Sequence, residues 1–391
     1  MDHLIDKIGS PMLPDPTRRI FLRQALYAGC GMVCMPLAAT AKPDGRDQFP
    51  EQTRPYVIEA RYYEKLDHKK IRCKLCPREC VIDDHERGYC GVRENREGIY
   101  YSLVYARPCA MNPDPIEKKP LFHFLPGTRA FSIATAGCNV NCKFCQNWEI
   151  SQVRPEEVRS IYMPPAKIAG TAADYGCRSI AYTYNEPTIF FEFMEDTAVA
   201  GRSKGLKSVV VTAGYINKDP LKRLCECVDA IKVDLKAFSE AYYKEYVNGE
   251  LRPVLDSLIT IHSLDIWSEI VYLVVPGLND SDREFTALSK WIAENLGRDV
   301  PVHFTRFHPQ YLLKNLPPTP VSVLERAKEI ADAAGLHYVY IGNVPGHSGE
   351  NTHCPVCGKL VIRRTGFIVQ ENNLSGGKCR FCNSEIAGHW K

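Results

Sequence analysis

The chain has almost no excess of either charge: 49 lysine and arginine residues face 46 aspartate and glutamate residues, a net of +3 over 391 residues. So balanced a charge creates no field to draw in nucleic acid or a charged membrane, and neither partner is expected. No apolar run is long enough to cross a bilayer. The one from Ala25 to Leu37 is too short and is interrupted by Pro36, so no stable membrane insertion is expected. Internal repeats and low-complexity tracts are also missing, which sets aside repeat architectures. What remains is ordinary: 45% hydrophobic and 24% charged residues, as in soluble globular proteins. The length suits one large domain plus a smaller one.

Cysteine is the residue in excess. There are 17, and most fall into tight groups. A disulfide framework suits short secreted chains that lack a core, and this chain has ample apolar sequence. Cysteines two apart make poor disulfide partners but good co-ligands of one metal, because a short turn aims both sulfurs at one point. The groups therefore read as metal sites.

From about 131 to 346, β-branched runs alternate with amphipathic helical stretches, the mark of βα units around a parallel sheet. The pattern predicts strands at Phe131–Thr135, Ser179–Tyr184, Ser208–Thr212, Ala230–Leu235, Glu269–Val275 and Val302–Phe307, with Tyr338–Gly342 as a further candidate. Helices are predicted over Thr188–Lys204, Asp282–Leu296 and Val321–Ala334. Six units fall short of the eight of a closed barrel, so the fold class is α/β, a partial (βα)6 barrel with its ligand site at the carboxyl ends of the strands.

Directly after the first predicted strand comes Cys138-x3-Cys142-x2-Cys145. Three thiolates can ligate three irons of a [4Fe–4S] cluster and leave the fourth without a protein ligand. With Phe144 in the aromatic place, the run resembles the C-x3-C-x-aromatic-C motif of the radical S-adenosylmethionine (SAM) superfamily. That resemblance implies that SAM chelates the open iron and is cleaved to a 5′-deoxyadenosyl radical. The alternative is a zinc site that borrows a distant fourth ligand.

Further strand ends carry the same likeness. Tyr184-Asn185-Glu186-Pro187-Thr188 resembles the family's second SAM motif, which implies that Glu186 and Asn185 meet the SAM amino group. Thr212-Ala213-Gly214 resembles a Thr-Asn-Gly element, with alanine in place of asparagine. Lys232, Asp234 and Lys236 alternate onto one face of the fourth strand, and Asp234 and Lys236 are candidates for SAM or substrate contact. Pro276-Gly277-Leu278-Asn279-Asp280 matches a turn of the family expected first to cap the following helix, with Asn279 a candidate near SAM. Arg306-Phe307-His308-Pro309 resembles an element that implies His308 by the SAM ribose, the alternative being a structural histidine.

Two more cysteine groups flank this region. Cys73-x2-Cys76-x3-Cys80-x9-Cys90 suits zinc or a second iron–sulfur cluster equally on spacing, with zinc placed narrowly first. Cys354-x2-Cys357-x21-Cys379-x2-Cys382 reads as a zinc ribbon. Arg72–Pro77, Gly88–Arg93, Asp114–Phe124, Gly342–Gly346 and this ribbon together resemble the AmmeMemoRadiSam-system radical SAM enzymes, related to pyruvate formate-lyase activase. That likeness implies Memo-type and AMMECR-type partners. An electron donor such as flavodoxin or ferredoxin is expected. The Asp114–Phe124 segment is expected to lid the substrate side of the barrel.

At the N-terminus, Thr17-Arg18-Arg19-Ile20-Phe21-Leu22-Arg23, an apolar stretch and Ala39-Thr40-Ala41 resemble a twin-arginine export signal. Periplasmic export is expected; the alternative is cytoplasmic, where SAM and low-potential electrons are supplied. The organisation is a signal segment at 1–41, a solvated linker at 42–55, an N-terminal Cys-rich module at 56–125, the barrel at 126–346 and a zinc-ribbon module at 347–391. The leading expectation is an oxidoreductase-like radical SAM enzyme that abstracts hydrogen from a substrate the residues do not specify. Competing with it are a glycyl-radical activase and a non-catalytic zinc-ribbon binding protein.

Overall fold

A computed structural model describes residues 45–391. The twin-arginine-like segment at 1–41 lies outside the described residues. Of the stretch expected as a solvated linker, residues 45–48 and 54–56 form short 3-10 turns. Between them Phe49 is buried with Val57, Tyr101 and Leu103, so an aromatic anchor docks this stretch instead of leaving it free.

The centre of the molecule is an eight-stranded sheet. Its strands are β1 (Ala110–Pro115), β2 (Arg129–Ala134), β3 (Ser179–Tyr182), β4 (Lys207–Thr212), β5 (Ala230–Asp234), β6 (Trp267–Val274), β7 (Val302–Arg306) and β8 (Val339–Gly342). Strands β2 to β8 run parallel and in sequence order, while β1 pairs antiparallel with β2. The edge strands β1 and β8 are not hydrogen-bonded to each other, so the sheet is open. The apolar run near 340 thus supplies a seventh parallel strand, one more than the six units expected.

Six helices fill the crossovers: α1 (Pro165–Asp174), α2 (Phe191–Arg202), α3 (Lys218–Cys227), α4 (Leu251–Ser263), α5 (Asp282–Asn295) and α6 (Val321–Ala333). Every crossover advances the strand order the same way, and right-handed crossovers then put all the helices on one face. That face is apolar. Tyr272 of β6, Phe304 of β7 and Phe285 of α5 meet edge to face at 5.5 to 6.1 Å. The alternate residues Lys232, Asp234, Val271, Leu273 and Thr305 belong to the other face, where they line a cavity.

Strand β1 was not anticipated, because Pro113 and Pro115 interrupt its β pattern. Its place explains the prolines: proline cannot donate to a ladder and is confined to sheet edges. The segment after β1 turns beneath the sheet, where the C-terminal piece reaches it. Leu125 N donates to His389 O at 2.7 Å, and Arg364 Nη2 donates to Phe122 O at 2.7 Å. The same piece meets β8 through Tyr340 Oη and Thr352 Oγ1, 2.8 Å apart. It thereby ties the two ends of the open sheet together.

Candidate functional site

The cysteine loop leaves β2 through Gly137, whose φ of +90° lies in the left-handed region that favours glycine. Backbone bonds then pin the loop: Gly137 N to Ile150 O, Asn141 N to Val247 O and Lys143 N to Tyr246 O. Cys138, Cys142, Phe144 and Cys145 all line one cavity of about 550 Å³, within the size range of ligand sites. Burial pushes the Cys142 thiol up to about 12, against the opposing positive charge of Lys236. Thiols so placed need a cation to be held as thiolates, which iron would supply.

Five of the other sequence-predicted residues line the same cavity: Asn185, Glu186, Thr212, Asp234 and Lys236. Glu186 is fixed tightly, accepting hydrogen bonds from Thr188 N and Oγ1, Thr212 Oγ1 and Ala213 N. The turn with alanine in the asparagine position therefore serves through its backbone. Asn185 donates Nδ2 to Gly137 O at 2.8 Å, and its buried Oδ1 has no partner. An acceptor left unpaired beside the cysteine loop fits an amino group of a bound ligand.

Asp234 lies between two ammonium groups, paired with Lys232 and with Lys236 Nζ at 2.9 Å. Its carboxyl is held down at about 2: burial works against the charge, and the two lysines outweigh it. Burial likewise opposes the charge of Lys236, but Asp234 and Cys142 raise its pKa above the ordinary lysine value. The row is thus a charge ladder, buried at Lys232 and half-buried at Asp234 and Lys236, that ends at the cysteines.

Two predicted residues fall elsewhere. The Asn279 amide is taken up by the backbone: Nδ2 donates to Lys236 O and Leu273 O, and Oδ1 accepts from Val275 N. It organises the turn and does not line the cavity. His308 is exposed and also lies outside the lining. Period and motif put both beside the strand ends but could not tell which side chains the turn itself would absorb.

The segment expected as a lid divides in two. Asp114, Lys118, Lys119 and Pro120 do line the cavity. Asp114 binds Lys119 at 2.6 Å, Lys118 at 3.0 Å and the Tyr184 hydroxyl. Burial lowers Lys119 to about 8, despite Asp114. Phe122, His123 and Phe124 instead are buried beneath the sheet, where Glu269 accepts from Phe122 N and His123 N. They are a plug, not a lid. Asp114, Lys119 and Tyr184 were not singled out as site residues, since only the fold lets Tyr184, just past the end of β3, reach back to Asp114 of the antiparallel β1.

The flanking cysteine sets differ in geometry. The sulfurs of Cys354, Cys357, Cys379 and Cys382 all lie within 4.8 Å of one another, a group that could hold a metal. Cys354–Cys382 and Cys357–Cys379 are 3.6 and 3.8 Å apart, and Ser384 Oγ sits 3.1 Å from two of the sulfurs. Cys73, Cys76, Cys80 and Cys90 line one small cavity of their own.

The radical SAM superfamily profile matches residues 132–288. An uncharacterized protein of Methanocaldococcus jannaschii is 47% identical over 330 residues, covering 84% of this chain and 98% of that one. The chain belongs to the radical SAM superfamily. It is an enzyme, and the reading as a non-catalytic binding protein falls. The superfamily implies a [4Fe–4S] cluster and SAM. Relatedness to activating enzymes is direct: the pyruvate formate-lyase 1-activating enzyme of Escherichia coli K12 is 23% identical over 234 residues, covering 54% of this chain and 91% of its own. Among solved structures, a radical SAM methyltransferase from Sphaerobacter thermophilus covers 78% of this chain and 87% of its own, at 14% identity and a TM-score of 0.45.

Proposed function

We propose that this enzyme holds a [4Fe–4S] cluster on Cys138, Cys142 and Cys145 and cleaves SAM reductively for hydrogen abstraction from a substrate in the same cavity. One observation carries this: the three cysteines, the unpaired Asn185 Oδ1 and the fixed Glu186 all line one cavity. When bound, the cluster supplies the electron that breaks a sulfonium bond of SAM to give a 5′-deoxyadenosyl radical. Asn185 Oδ1 and Glu186 Oε2 receive the SAM amino group. The Lys232–Asp234–Lys236 row holds fixed charge along the cavity wall, pre-organised so that no reorientation is needed during reaction. Phe144 and Val140 shield the cysteine side from water, and Tyr184, Lys119 and Asp114 form the wall opposite.

The open sheet with helices on one face supports a partial barrel around this cavity. Sulfur separations of 3.6 Å for Cys354–Cys382 and 3.8 Å for Cys357–Cys379 support zinc there, since four thiolates at about 2.3 Å from one ion lie about 3.8 Å apart. The long motifs around residues 72–77 and 114–124 support the AmmeMemoRadiSam system, with Memo-type and AMMECR-type partners. The Arg18-Arg19 segment supports export, which loss of periplasmic protein in an Arg18→Lys, Arg19→Lys variant would test.

Anaerobic reconstitution with iron and sulfide, followed by SAM and dithionite, tests the main reading. Formation of 5′-deoxyadenosine that disappears in Cys142→Ala supports it; a chain that binds cluster but releases none sinks it. Similarity to the activating enzyme keeps a second reading in view, in which the radical is passed to a glycine of a partner protein. An EPR glycyl-radical doublet on a co-incubated partner would select that one.

A further inference from the structure

Cys73, Cys76, Cys80 and Cys90 are set on a compact frame. Cys73 ends a strand at Ile71–Cys73, its N–H donates to Cys80 O at 2.9 Å, and Gly91 N donates to Gly88 O at 2.9 Å. All four side chains face one small cavity, and none is in a disulfide. Yet this set is not among the described groups whose donor atoms lie within 4.8 Å of each other, whereas the C-terminal four are. A single zinc ion cannot hold sulfurs that far apart. A cubane can, because each thiolate binds a different corner iron. The chain carries its own control: Cys138, Cys142 and Cys145 share the wider spacing.

A second observation points to an anionic group in this cavity. Arg93 lines it and is 1% exposed. Its Nε donates to Ile189 O at 3.0 Å and its Nη2 pairs with Glu192, but Nη1 has no partner. A guanidinium N–H is not left buried and unpaired without cost. Four thiolates around a cluster would accept it.

We propose that Cys73, Cys76, Cys80 and Cys90 ligate a second [4Fe–4S] cluster, to which Arg93 donates a hydrogen bond. Every iron of this cluster has a protein ligand, so it offers no vacant corner to SAM. It lies beside the first: Asn139, next to Cys138, lines its cavity, and Cys90 O packs against Gly137.

The test uses the full chain, reconstituted anaerobically with iron, sulfide and zinc. The expected content is about eight irons, two four-iron clusters. The triple variant Cys138→Ala, Cys142→Ala, Cys145→Ala keeps half of the iron, with a reduced-cluster EPR signal that added SAM does not alter. Arg93→Leu shifts the midpoint potential of that remaining cluster downward, and Arg93→Lys restores most of the shift. A triple variant that holds zinc and no iron overturns the cluster, while the wild type can still form 5′-deoxyadenosine and leave the SAM reading standing. An unchanged potential in both Arg93 variants overturns the arginine contact. Should Arg93→Leu not fold, Arg93→Lys alone is read in the triple variant: four irons retained with a potential slightly below that of the Arg93 parent support the contact, and a potential equal to the parent's overturns it.

Discussion

The carbonyl oxygen of Cys90 would stand 2.5 Å from a Cβ at Gly137, the residue before Cys138. Two separate cysteine loops, one ending at Cys90 and one beginning at Cys138, therefore meet, with Val92 closing the same contact at 2.5 Å. Neither loop can shift without moving the other.

Gly137→Ala is accordingly expected to disturb both cysteine sets. Its positive φ and the close approach would lower stability by about 2 kcal/mol. Denaturant unfolding together with iron analysis after reconstitution checks this. A variant of wild-type stability and full iron content would show that the loops yield to each other.

Asn185→Ala removes the unpaired acceptor that, among the described residues, lines the cavity with the three cysteines. A hydrogen bond to a charged group is worth about 1.5–3 kcal/mol, so SAM should bind about tenfold to a hundredfold more weakly. Equilibrium binding to the reconstituted enzyme measures this. Equal affinity would place the SAM amino group elsewhere.

His123 makes stability depend on acid. Burial lowers its pKa to about 4, and its ring lies between Ala387 O and the Tyr340 hydroxyl. The neutral ring satisfies both, with Nδ1–H donating to the carbonyl and Nε2 accepting from tyrosine. An unfolded histidine takes up its proton near 6.5. The unfolded state thus binds more protons between 6.5 and 4, and stability falls across that window as the pH drops, by up to about 3 kcal/mol. Buried His303 is shifted down as well. Glu269, lowered in the folded state chiefly by His303 against the effect of burial, adds a further loss below its ordinary value. Melting temperature against pH should slope less steeply in His123→Gln; an identical slope would rule out this histidine as the source.

Metal removal from the C-terminal cysteines should loosen more than the ribbon. Arg364, between Glu117 and the Phe122 ring, is anchored from that piece. A strong zinc chelator is expected to lower the melting temperature and to expose the chain after 347 to protease, and Cys354→Ser should do the same. If only the ribbon becomes cleavable and melting is unchanged, the tie between the sheet ends carries little stability.

That Cys138, Cys142 and Cys145 share one cavity was legible in the sequence because their spacing is local. Three thiolates within eight residues must share one site wherever the chain goes, and strand periodicity placed them at a strand end. Asn185, Glu186, Thr212, Asp234 and Lys236 followed from the same rule, since parallel strands deliver their carboxyl ends to one place. Tertiary structure decided the rest. Whether Asn279 faces a ligand or its own turn depends on which backbone groups of Leu273, Val275 and Lys236 come within reach. Whether His123 covers a substrate or plugs the sheet depends on Glu269, Tyr340 and Ala387, which lie 146 to 264 residues away. Spacing likewise counts the cysteines at 73–90 but does not set how far apart their sulfurs are held. That distance separates one ion from a cluster, and only the folded frame fixes it.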